Sequence, residues 1–132
     1  MDSAGRHLII DGYVRDSAVF TSEKLTKLFQ DLAVALDMKI IQGPTFLEVE
    51  LDPSKLNSDV FQDEGGITGS AIISTSHMAL HAWPLRQFFS CDVFSCKAFD
   101  TNLAMNVIQG LLGTVSLNVL SIDRTKPVKP EC

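Results

Sequence analysis

Between Ser76 and Cys96 the chain carries a hydroxyl, two imidazoles (His77, His81), two thiols (Cys91, Cys96), an acid (Asp92) and a Trp83-Pro84 pair. Nowhere else are such side chains so crowded. A hydroxyl or thiol nucleophile with imidazole proton carriers nearby is the equipment of covalent catalysis. Each residue also has an ordinary reading. A serine in a strand is usually structural, a histidine on an apolar run is often a hydrogen-bonded core residue, and a buried thiol packs as a small hydrophobe. For His77 the core reading is the expectation, and no role is assigned to it.

A metal centre from His77, His81, Cys91 and Cys96 is the rival constellation. Histidines four apart share a metal most readily from a helix, whereas this run reads as a strand with Pro84 close behind. Cys91 and Cys96, five apart, point to opposite faces of a continuous strand, while Asp92, Phe94 and Cys96 share one. No metal is therefore expected. Trp83 and Phe88, Phe89 and Phe94 read as core or interface.

Rigid elements must hold these groups. Ser70–Ile73 and Asp92–Phe94 are β-rich runs on either side of them. Upstream, His7 to Val14 reads as a strand broken by Gly12. Thr21 is an N-cap candidate, with Phe20 and Leu25 placed as a hydrophobic staple and Glu23 in the first turn. Leu25, Leu28, Phe29, Leu32 and Ala35 recur at helical spacing. Residues 39–42 predict a strand ended by Gly43-Pro44, and Phe46 to Leu51 another, alternating Leu47, Val49 and Leu51 with Glu48 and Glu50. The polar run from Asp52 to Gly66, with Asp63-Glu64, predicts a loop. Asp100 predicts the cap of a second helix with a Leu103, Val107 and Leu111 stripe, ended by Gly113. Val115, Leu117 and Val119 alternate in a last strand, and a loose tail is expected from Arg124.

The expected fold is α+β, a two-layer sandwich of a mainly antiparallel sheet with helices on one face. The other sheet face needs a cover, and a second subunit is the natural one. At 132 residues the chain forms one domain. A net charge of −5 argues against nucleic acid or an anionic membrane as partner. No apolar run approaches the roughly 18 residues of a membrane helix, and the opening residues lack a signal peptide's apolar segment. Three cysteines make no disulfide framework, so a cytoplasmic location is expected.

The central stretch resembles the self-cleaving site of prokaryotic S-adenosylmethionine decarboxylases. Gly66-Ile-Thr-Gly69 matches that family's glycine turn, Ile72-Ile73 its apolar strand, and Ser76-His77, His81, Trp83-Pro84 and Asp92-Val-Phe-Ser-Cys96 its remaining motif in order. Gly5-Arg6-His7-Leu8 looks like its opening strand. Two positions depart: Thr75 and Leu85 stand where the family has glutamates.

The resemblance implies self-cleavage between Thr75 and Ser76, giving residues 1–75 (beta chain) and 76–132 (alpha chain). It implies a covalent pyruvoyl group made from Ser76, a ketone that takes up electrons as carbon dioxide leaves an amino-acid-type small molecule. His81 would move the proton during ester elimination, and Cys96 would protonate the substrate carbon. The implied assembly is a homodimer of cleaved protomers. S-adenosylmethionine is the implied substrate, in polyamine synthesis. Substrate-binding residues remain unassigned, because the acid that would accept from ribose hydroxyls is replaced by Leu85. The alternatives are decarboxylation of ornithine or arginine, and an uncleaved, non-catalytic relative acting as a regulatory partner.

Overall fold

The computed structural model describes residues 3–55 and 65–131. The chain runs β1 (Ser3–Val14), α1 (Ser22–Ala35), β2 (Ile40–Val49), β3 (Gly66–Ile73), β4 (Ser76–Trp83), β5 (Phe88–Ser95), α2 (Thr101–Leu112) and β6 (Thr114–Thr125), with short 3-10 turns between some elements. The six strands form one sheet in the order β2-β3-β4-β5-β1-β6, every neighbouring pair antiparallel. This is the α+β arrangement expected, with both helices on one face. No helix among the described residues is long and apolar enough to cross a membrane.

The helix ends follow local chemistry. Thr21 accepts from the Lys24 N–H at 3.1 Å, and Asp100 from the Asn102 N–H at 2.8 Å, each satisfying an otherwise orphaned donor. Gly113 closes α2 in the left-handed conformation at φ +67°, which a glycine adopts without a Cβ penalty. Leu25, Leu28, Phe29 and Leu32 of α1 are fully buried against Leu8, Ile10, Met78, Leu80, Phe89 and Val93 of the sheet. Truncating one of these leucines to alanine would cost about 2–5 kcal/mol.

Several boundaries differ from expectation. Gly12 does not break β1: a Cβ there would meet the Leu117 and Phe89 side chains, so the glycine is a packing requirement inside a continuous strand. Gly43-Pro44 does not end a strand either, because irregular pairing between Ile40 and Thr45 absorbs it within β2, an edge strand where a missing N–H is tolerated. Gly66-Ile-Thr-Gly69 lies within β3 instead of forming a turn. Cβ atoms at its glycines would strike the Ala82 carbonyl and the Phe46 ring, so they allow close approach.

The buried stripe of α2 is Ala104, Ile108 and Leu112, one residue along from the one expected, with Leu103 45% exposed. Both stripes have helical spacing, and on so apolar a helix periodicity alone does not choose between them. Val115 and Val119 are exposed because β6 lies at the sheet edge, and Arg124 belongs to β6 instead of a loose tail. Of the expected loop, Pro53–Lys55 forms a 3-10 turn, while Asp63-Glu64 lies outside the described residues.

Candidate active site

Side chains alternate across the sheet, so the helix-free face is a register-defined surface. One transverse row on it runs Asp11, Ser90, His81 and Thr68, on β1, β5, β4 and β3. Ser90 donates to Asp11, and the Thr68 hydroxyl pairs with His81 Nδ1. A second row runs His7, Phe94, His77 and Ile72. The Phe94 ring lies between the two imidazoles at 5.8 and 5.7 Å, and the Arg124 guanidinium sits 4.4 Å from its centroid. Asp92 Oδ1 lies 3.4 Å from His7 Nε2, an ion-pair separation but not an aligned hydrogen bond. His77 is thus an exposed residue of the open face, not the core histidine expected, because its register partner Phe94 also faces away from the helices.

At the opposite edge of this region β3 and β4 are joined by a two-residue connection, Ser74-Thr75. Ser76, the first residue of β4, pairs with Ile73 on one side and Ser95 on the other. Its φ is +149°, a region that L-residues rarely occupy, at a strain cost of about 1–3 kcal/mol. The Thr75 carbonyl accepts from the Cys96 backbone N–H at 2.8 Å. The Thr75 hydroxyl accepts from Ser95 Oγ, also at 2.8 Å. The structure therefore brings Thr75, Ser76 and Cys96 together at one end of the sheet. A carbonyl held by a fixed N–H beside a hydroxyl-bearing residue is suited to nucleophilic attack, since the donor stabilises charge developing on that oxygen.

His81 is not part of that group within one chain. It lies five positions along β4 from Ser76, about 17 Å at the usual rise. His81 borders a cleft of about 210 Å³ lined also by Val49, Gly66, Ile67, Thr68 and Trp83. A second cleft beside His81, of about 270 Å³, is lined by Thr45, Leu47, Thr68, Ser70 and Ala79.

The two thiols separate as their spacing predicts. Cys91 is buried on the helix side with Phe89 and Val93. Burial, reinforced by the charges of Asp92 and Asp11, pushes this thiol far above its ordinary pKa, so it stays protonated and inert. Cys96 is exposed, one residue beyond β5. His77, His81, Cys91 and Cys96 therefore do not converge on a common point. Leu85, in the turn after Trp83, is 63% exposed.

Thr68, Ser95 and the Cys96 N–H were not singled out from sequence. A two-residue connection at Ser74-Thr75 fixes the hairpin register and places Thr68 opposite His81, so that signal was available. The Ser95 contact depends on the pairing of β4 with β5 that sets Ser95 beside Ser76, for which local sequence carries no signal.

Residues 6–125 match the sequence model of the family described as S-adenosylmethionine decarboxylase. A protein of Shouchella clausii named S-adenosylmethionine decarboxylase proenzyme is 38% identical over 133 residues, covering 99% of this chain and 93% of that one. One of the same name from Thermoanaerobacter sp. strain X514 is 30% identical over 134 residues, covering 98% and 97%. The crystal structure of the adenosylmethionine decarboxylase from Aquifex aeolicus superposes with a TM-score of 0.72 at 19% identity, covering 100% of this chain and 99% of that one, a likeness of fold.

Proposed function

The chain belongs to the S-adenosylmethionine decarboxylase family, and from that premise we propose that it is a precursor which cuts itself between Thr75 and Ser76 and then decarboxylates S-adenosylmethionine. The observation that carries this reading is the Thr75 carbonyl, fixed by the Cys96 N–H beside a strained Ser76. Ser76 Oγ adds to the Thr75 carbonyl carbon, the peptide C–N bond breaks, and the hydroxyl proton ends on the freed amine. The product is an ester. Breaking the peptide bond also releases the backbone constraint at Ser76.

A base then removes the Ser76 Cα proton, the Thr75 carboxylate departs with the ester C–O electrons, and a dehydroalanine remains. Its imine tautomer is hydrolysed, with loss of ammonia, to a pyruvoyl group heading residues 76–132. That ketone supplies the electron sink for loss of carbon dioxide from an amino acid bound through its amine. The residues present fit the group. Ser76 begins a strand held on both sides, half-buried, with Cys96 at the next strand's exit. The Cys96 thiol, exposed where the Cys91 thiol is not, is the proton donor to the substrate carbon.

His81 is the base for elimination, and it comes from a second copy. Two observations support a dimer across the open face. Ser76 and His81 stand too far apart along β4 to meet within one chain. The open face also leaves Ile72, Leu120 and Ile122 exposed, among the half-buried rings of Trp83, Phe88 and Phe94. The Thr68 hydroxyl paired with Nδ1 sets the orientation of the ring; for His81 to act as base, Nδ1–H donates to that hydroxyl and Nε2 is left with a free lone pair.

The matches lend no support to ornithine, arginine or an uncleaved regulatory partner. The test supplies carboxyl-labelled S-adenosylmethionine, ornithine and arginine separately to the cleaved protein. Labelled carbon dioxide from the first alone is expected. Release from either amino acid but not from S-adenosylmethionine would overturn the substrate while leaving the cleavage chemistry standing.

A further inference from the structure

We infer that Ser95 is a positioning residue for self-cleavage: its hydroxyl clamps the Thr75 side chain so that the scissile carbonyl stays on the Cys96 N–H and open to Ser76. This rests on the cleavage site proposed above. Ser95 is the buried polar side chain among the described residues, fully enclosed on the helix side of β5 with Cys91 and Val93. A hydroxyl in that setting is costly unless its hydrogen-bonding capacity is used. Ser95 Oγ donates to Thr75 Oγ1 at 2.8 Å and accepts from the Lys97 N–H at 3.0 Å. Both bonds reach across to the chemistry: one to the residue that supplies the scissile carbonyl, the other to the residue after Cys96.

Consecutive residues therefore grip Thr75 at two points, Ser95 through its side chain and Cys96 through its backbone N–H on the carbonyl oxygen. Two attachments fix the rotation of the Thr75 peptide where one would leave it free to swing. Holding the reacting carbon in near-attack geometry is a rate effect. The neighbouring strand completes the clamp. Gly5, at φ +128°, lies so close that a Cβ would strike the Ser95 carbonyl oxygen and stand 2.8 Å from Cys96 Cα. Only a glycine lets β1 press against this corner. A threonine at position 75, unlike a longer acid, has a hydroxyl that reaches no further than its neighbours, and Ser95 is the neighbour that meets it. In the first step neither Ser95 nor the Cys96 N–H gains or loses an atom; both only hold the group that Ser76 attacks.

The experiment follows the appearance of the 76–132 piece from freshly made precursor for wild type, Ser95→Ala, Thr75→Val and the double variant. Each single change is expected to slow cleavage about tenfold, and the double by the same factor, because both remove one shared bond. Hydroxylamine, which cuts esters, should not speed Ser95→Ala, since the ester is slow to form. Wild-type rates in either single variant, or penalties that multiply to about a hundredfold in the double, would overturn the inference. If Ser95→Ala loses its cooperative thermal transition, Thr75→Val in the half-buried turn decides alone: a wild-type rate there overturns the clamp. A wild-type chain that never cuts would remove the cleavage reading itself, and this one with it; cutting that is indifferent to Ser95 and Thr75 would remove the clamp only.

Discussion

At its start β4 holds Ser76 between Ile73 and Ser95, with the preceding carbonyl fixed by a backbone N–H and the preceding side chain fixed by a buried hydroxyl. Five residues later the same strand holds His81 on the open face, bonded to Thr68 at the mouth of a shallow cleft. At the first end the hydroxyl, the carbonyl and its N–H partner all come from one chain: the start of β4, the connection before it and the residue after β5. The second end presents a proton carrier with nothing of the same chain to act upon. Under the proposed mechanism, this contrast divides the reaction into an attack that a single protomer sets up and an elimination that draws on a second copy.

The sharpest way to break that division is at the self-sufficient end. Ser76→Ala removes the nucleophile, and a denaturing gel is expected to show one uncut chain however long it is incubated. At the other end, His81→Ala should stall after the ester forms, with hydroxylamine releasing the two pieces. Co-expressing the two variants should restore pyruvoyl formation on the His81→Ala chain, because the Ser76→Ala chain supplies the missing imidazole in a mixed dimer. Failure of that rescue, with mixed dimers present by mass spectrometry, would show that His81 acts within its own chain or not at all.

The two thiols separate cleavage from turnover. Cys96→Ser keeps its backbone N–H, so cleavage should survive while turnover falls by about a hundredfold or more, the usual scale for a lost proton donor. Cys91→Ser should cut and turn over normally, at a stability cost of about 1–3 kcal/mol for a hydroxyl placed in an apolar setting. A thiol reagent should accordingly label Cys96 and spare Cys91 in the folded protein. The smallest effect concerns substrate affinity. Leu85→Glu restores an acceptor for ribose hydroxyls, worth about 1.5–3 kcal/mol, and should lower the KM for S-adenosylmethionine roughly ten- to a hundredfold without changing the cleavage rate.

What could be read from the residues follows the range of the physics behind each feature. Caps at Thr21 and Asp100, the αL glycine at 113 and the contrast between Cys91, buried, and Cys96, exposed, are local, and each was legible. Glycines misled where their purpose was long-range: Gly12, Gly66 and Gly69 look like breaks or turns, yet each sits inside a strand to admit a group distant in sequence. The α2 stripe slipped by one residue because its sequence offers two apolar faces, and only the sheet beneath chooses between them. Within the site, the motif marked Ser76, His81 and Cys96, and a strand over Ser76–Trp83 by itself sets the first two about 17 Å apart, whereas the approach of Cys96 to Thr75 needs the pairing of β4 with β5. Ser95 was invisible because its importance lies in a contact with Thr75, 20 residues away in the β3–β4 connection.

Every later step depends on the proposed cut after Thr75. Intact mass spectrometry of purified protein held at neutral pH tests it directly. The expected spectrum contains one piece ending at Thr75 and a second beginning with a pyruvoyl group in place of Ser76 and running to Cys132, the latter resisting amino-terminal sequencing. A single species at the mass of all 132 residues after prolonged incubation would contradict it.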